Sequence, residues 1–153
     1  MTTARNKAVH KILAHSYFFY FLMFLSGVLL DLLFPVKIFN SPLMLFFGLT
    51  LIIFSSVLIL WAQMTSRDLV NAKEDINTET FCKGPYCFTR SPTHWGLFFL
   101  ILGFGIVANA FFIILFTLVS FFTTKFIFLR KEEIILAEKY GAPYLEYKKK
   151  VKF

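Results

Sequence analysis

The stretch from Trp95 to Phe128 is an almost unbroken apolar chain in which Lys125 is the only charged residue. A soluble domain of this size has no core in which to hide such a run. A membrane helix needs about 20 apolar residues to cross the hydrocarbon layer. The run is therefore too long for one crossing and suits two legs turning near Asn109 and Ala110. Two other segments cross once each: Tyr17 to Phe34, interrupted only by Asp31, and Leu43 to Ala62, which carries no charge. The expected fold is all-α and polytopic, with about four transmembrane helices over 17–34, 43–62, 95–108 and 111–128. A cap over one end would come from the 63–94 loop and a tail helix over 129–153. With 153 residues, 58% hydrophobic, the chain has room for a single membrane domain.

Arg5, Lys7 and Lys11 precede the first apolar segment, as in a secretory leader. The chain then reads Leu-Leu-Phe-Pro, without a small-residue cleavage site, so a retained anchor is expected. Residues 1–16 are expected to form a basic helical arm along the surface, with no role for His10 or His15. Of 16 basic residues, Lys37 alone falls in the connections at Pro35 to Pro42 and Asn109. The positive-inside rule then puts both termini and the 63–94 loop in the cytoplasm. Because the basic residues flank the spans, the net charge of +7 points to membrane lipids rather than nucleic acid as the partner. Lys148, Lys149, Lys150 and Lys152 are assigned to headgroup anchoring. Cys82 and Cys87, on a cytoplasmic loop, are expected to be reduced, ordinary thiols. With His94 the only histidine nearby, no metal site is expected.

Polar chemistry concentrates in two places. Thr65 to Glu79 mixes charges of both signs and reads as a solvated helix or loop, whereas Phe81 to His94 is dense in turn formers and aromatics. The third span is short, and Gly96, Gly103 and Gly105 suit close helix approach. Beyond Phe126 the last span runs on as a helix to Tyr140, where Gly141 and Pro143 stop it. Leu129, Glu133, Leu136 and Tyr140 share one narrow stripe of that helix. A carboxylate on an apolar stripe is costly unless a cation or several donors meet it, which makes Glu133 the residue most in need of a partner.

Four blocks occur in order: Lys83-Gly84-Pro85-Tyr86-x-x-x-Arg90-x-Pro92-x-x-x-Gly96, an apolar hairpin, Glu132-Glu133-x-x-Leu136, and Tyr140-Gly141-x-x-Tyr144-x-x-Tyr147. Together they resemble the integral-membrane methyltransferases that include isoprenylcysteine carboxyl methyltransferases and phospholipid N-methyltransferases. The resemblance covers Phe81 to Phe153. It implies S-adenosyl-L-methionine as methyl donor, enclosed by the Gly-Pro-Tyr and Arg-x-Pro loop together with the Glu-Glu helix. Carried over by position, it nominates Gly84, Pro85, Tyr86, Arg90, Ser91, Pro92, Glu132 and Glu133 for the cofactor. Two positions depart from the family pattern. Ser91 stands where His or Asn is common, and His94 where Tyr is common.

The residue chemistry agrees with that implication. Glu133 suits the ammonium of an amino-acid moiety and Arg90 its carboxylate, by charge-assisted hydrogen bonds. Tyr86 suits an adenine face or a sulfonium. Ser91 keeps a donating hydroxyl, and Pro85 and Pro92 stiffen the loop. A carboxylate acceptor needs no base, whereas a protonated amine must first lose a proton. His94 is positioned to be that base, so Arg90 and His94 are the catalytic candidates. The expected activity is methyl transfer to a lipid or prenylated acceptor entering from the bilayer, most like isoprenylcysteine carboxyl methylation. N-methylation of an ethanolamine phospholipid, and a non-catalytic scaffold of the same fold, are the alternatives.

Overall fold

The computed structural model describes residues 2–71 and 82–151; the part of the expected solvated stretch within 72–81, and Lys152, lie outside them. All regular structure in the described residues is helical. Helix α1 spans Thr2–Leu33 and α2 spans Leu43–Asn71. A 3-10 turn, Gly84–Cys87, precedes α3, Pro92–Val107. The next helix begins as α4, Phe111–Thr123, passes through a π-helical turn, Thr124–Phe128, and continues as α5, Leu129–Tyr140. Gly141, with φ 65°, turns the chain into α6, Ala142–Lys150.

Among the described residues, three stretches are long and apolar enough to cross a membrane: Ala14–Leu33, Leu43–Arg67 and Phe111–Glu138. The fourth, α3, is apolar but has only 16 residues. At ~1.5 Å per residue it falls a few ångströms short of the hydrocarbon thickness. The protein is therefore an all-helical integral membrane protein. Residues 2–16 are helical, as expected of the basic arm, and continue into the helix of the first span without a break.

Helix α3 packs most extensively on α2 and also on α4, while α1 lies against α4 and α5. The α2–α3 seam depends on missing side chains. A Cβ on Gly48 or on Gly103 would come within 2.9 Å of the other's carbonyl oxygen, so backbones touch where lipid supplies no hydrophobic drive for association. Gly96 serves the same seam against Ile59, and Gly105 meets Ile114 across the hairpin.

At the hairpin end, Asp31 reaches from α1 to the start of α4. Its carboxylate accepts from the backbone N–H groups of Phe112 and Ile113, at 3.1 and 2.9 Å. These N–H groups have no partner within their own helix, and in hydrocarbon each would be costly to leave bare. Asn109, in the left-handed region with φ 52°, accepts from the Ile38 and Phe39 N–H groups and donates to the Phe39 carbonyl. The tight turn and the α1–α2 connection are thus one hydrogen-bonded unit.

Candidate functional site

At the opposite end, the loop preceding α3 meets the π-helical turn and α5. The Arg90 guanidinium lies 2.9 Å from Glu133 Oε1, and Lys148 Nζ lies 2.7 Å from Glu133 Oε2. The Arg90 and Glu133 side chains are only 20% and 19% exposed, so this pair is shielded from solvent far more than an ordinary surface ion pair. The cation required by the apolar-stripe position of Glu133 is supplied twice. Leu136 and Tyr140, from the same stripe, pack on a buried cluster of Tyr144, Tyr147 and Val151.

Beside the ion pair is a cleft of about 220 Å³, lined by Arg90, Ser91, His94, Glu132 and Glu133 among others. His94 is 3% exposed, and among the described residues neither ring nitrogen has a hydrogen-bond partner. Its ring lies 5.7 Å from that of Tyr17. A buried imidazole serving structure normally satisfies at least one nitrogen; this one satisfies neither among the described residues, and its side chain lines the cleft. Gly84, Pro85, Tyr86 and Pro92 are not in the lining. Gly84 packs tightly on α2, where a Cβ would meet Thr65 Oγ1 at 2.8 Å, and its φ of 53° also suits glycine. Pro85 and Pro92 are fully buried, Pro85 beside a second apolar groove with Trp61 and Phe88. Tyr86 is tied to α6, its carbonyl accepting from the Tyr147 hydroxyl at 2.6 Å.

Burial dominates the titration of the tyrosines around this end. It raises the Tyr86 phenol above its ordinary value, against a lowering hydrogen bond from Ser66 and with Tyr17 and Glu132 adding to the rise. It raises Tyr144 likewise, with the charges of Glu133 and Glu132 next in effect. Tyr147 is pushed up by burial to about 12, with Arg90 pulling the other way. All three phenols therefore remain protonated near neutral pH, and Tyr147 remains a donor to Tyr86.

Several residues at the site carried no functional expectation. Lys148 is not simply a headgroup anchor, because the turn at Gly141 folds α6 back and delivers its ammonium to Glu133. Lys125, the lone charge of the apolar run, lies 5.9 Å from the ring centroids of both Trp95 and Phe121, and it lines the cleft with Arg130 and Thr124. The π-helical turn that presents Thr124 and Lys125 is a distortion often found at functional sites, but no local sequence pattern announces it. The expectation of two reduced thiols is also corrected: Cys82 and Cys87 form a disulfide. The intervening 3-10 turn brings their Cα atoms to 4.5 Å, within bonding range. Cys82 also packs on the Tyr144–Tyr147 cluster.

Tyr20, 2% exposed, lines the cleft on one side and an apolar groove of about 390 Å³ on the other. The groove runs between α1, α2 and α3 past Phe24, Ile52 and Leu100 to Phe104. Its rim residues Phe21 and Phe104 are 58% and 45% exposed on the outer face of the helices, where lipid is the solvent.

Membrane-crossing helices that carry a charged, partly buried cleft at one end, with an apolar groove leading from it, define an integral membrane protein suited to amphiphilic ligands. The phospholipid methyltransferase family matches residues 43–143, most of the chain, and the chain belongs to that family of membrane methyltransferases. The match begins at residue 43, so α2 is part of the family pattern, although the four motif blocks start only after it. No curated protein and no solved structure matches the chain.

Proposed function

We propose that this protein transfers a methyl group from S-adenosyl-L-methionine to the polar head of a lipid-like acceptor that enters sideways from the bilayer. The observation that carries the reading is the cleft itself. A carboxylate, a guanidinium and an imidazole with no hydrogen-bond partner among the described residues line it, and Tyr20 lines both it and a lipid-facing groove.

The residues present fit such a donor. When bound, it supplies an electrophilic methyl on a sulfonium sulfur. Glu133 offers a carboxylate to the donor's ammonium, and Arg90 a guanidinium to its carboxylate. Tyr144, whose phenol stays protonated, offers an aromatic wall and a hydroxyl donor. Ser91 adds a hydroxyl at the N-terminus of α3. Gly84, Pro85, Tyr86 and Pro92 act from behind, holding the loop and α6 in register rather than touching ligand. Alignment in a cleft shielded from water supplies much of the acceleration for an in-line displacement.

The acceptor's chain occupies the groove and its head passes Tyr20 into the cleft. His94 favours an amine acceptor, such as an ethanolamine phospholipid, because a protonated amine needs a base within reach and the acceptor nitrogen of this cleft-lining imidazole is not taken up by a hydrogen bond among the described residues. A carboxylate acceptor, as in a prenylated cysteine, is the second reading, favoured by the cations Lys125 and Arg130 in the same lining. The charge asymmetry of the chain supports a cytoplasmic position for the cleft and both termini.

The test is incubation of the purified protein with lipid extracts and isotopically labelled methyl donor. Label in an aminophospholipid, with turnover rising as pH rises through the amine's range, supports the first reading. Label in a prenylated carboxylate with a flat pH profile selects the second. No label in any lipid, from protein that still binds S-adenosylhomocysteine, overturns the activity.

A further inference from the structure

Both oxygens of Glu133 are already engaged, Oε1 by Arg90 and Oε2 by Lys148. A ligand ammonium that reached Glu133 would bring a third positive charge beside Arg90 and Lys148, so its binding is favoured when one of those cations withdraws. The two cations differ in what holds them. Arg90 sits between the 3-10 turn and α3 with a side chain 20% exposed. Lys148 is 43% exposed, lies on α6, and has a flexible four-carbon stem that returns readily to water. We propose that Lys148 is an internal stand-in for the ligand's ammonium: it holds Glu133 in the ligand-free protein and is exchanged for that ammonium on binding.

This inference rests on the donor reading above and adds a residue which that reading does not use. The exchange is a local one. Helix α6 stays docked through the Tyr147 hydroxyl on the Tyr86 carbonyl and through buried Tyr144 and Val151, while the Lys148 side chain swings out. Two consequences follow from charge conservation at Glu133. The carboxylate is never left uncompensated, which limits the cost of an empty site. Ligands lacking an ammonium cannot drive the exchange, so Lys148 discriminates in favour of the complete amino-acid moiety.

The test is calorimetry on the full-length, detergent-solubilised protein with two ligands: S-adenosylhomocysteine, which has the ammonium, and 5′-methylthioadenosine, which lacks the amino-acid end. Lys148→Met keeps the stem and removes the competitor. It is expected to bind S-adenosylhomocysteine roughly three- to tenfold more tightly than wild type, leaving 5′-methylthioadenosine affinity unchanged. Lys148→Arg, which keeps a cation on the stem, is expected to restore the wild-type ratio between the two ligands. Thermal unfolding of each variant checks folding. Equal or weaker S-adenosylhomocysteine binding by folded Lys148→Met overturns the exchange while leaving the donor reading intact. Equal tightening for both ligands also overturns it, since that reports a removed obstruction rather than a removed competitor. Failure of wild type and of both variants to bind S-adenosylhomocysteine overturns the donor reading and this inference together.

Discussion

Where the chain turns at Asn109, Asp31 meets two bare N–H groups of α4 and Asn109 closes three hydrogen bonds with residues 38 and 39. At the other end of the same helices, His94 is only 3% exposed, yet among the described residues no group meets its nitrogens. Both ends place polar atoms in an apolar protein, where each unmet group is costly. Satisfied polar groups at the hairpin end therefore build the fold. The unmet imidazole beside a doubly paired carboxylate marks a place where the fold waits for something else.

The sharpest way to break this comparison is to make the two ends exchange behaviour. His94→Phe is expected to lower methyl transfer to an amine acceptor by about 10²–10⁴-fold. The unfolding midpoint should stay level or rise, because an apolar ring replaces an unmet polar one. A large fall in midpoint with activity retained makes His94 structural and erases the contrast. Glu133→Gln comes next, weakening S-adenosylhomocysteine binding by ~1.5–3 kcal/mol. Glu138→Gln, on the same helix but outside the cleft lining, should leave it unchanged. Indistinguishable titrations for the two variants count against the cleft.

Asp31→Ala tests the hairpin end. It should cost ~0.5–2 kcal/mol of stability, as loss of a helix cap does, with ligand affinity untouched. Asn109→Gly is the mildest. It loses the hydrogen bonds to residues 38 and 39 but keeps the backbone conformation, so about 1 kcal/mol or less is expected. If either hairpin variant alters ligand affinity as strongly as it alters stability, the ends are coupled and the division of labour fails.

The two ends also differ in how much of them can be read from the chain. The apolar runs announce the crossing helices because hydrocarbon thickness sets a length that few other constraints require. Glu133 was legible for a local reason, since it shares a helix stripe with Leu136 and Tyr140, and both of those pack inward. Its pairing with Arg90 followed from motif order rather than from any pattern in the residues between them. Lys148 was not legible. It stands in a run of three lysines, and which of them faces Glu133 depends on the turn at Gly141. Nor were the partners of Asp31 and Asn109, which lie some 70 to 80 positions away in the chain and are fixed only by how the helices pack. The disulfide was missed because an expected reducing compartment outweighed the short turn that brings Cys82 to Cys87.

The division between a finished end and a waiting end meets its most direct test in one titration, S-adenosylhomocysteine into the folded wild-type protein in detergent. Saturable binding at one site per chain, strongly weakened by Glu133→Gln and untouched by Asp31→Ala, is the predicted result. A protein with a cooperative unfolding transition that takes up no ligand would contradict it.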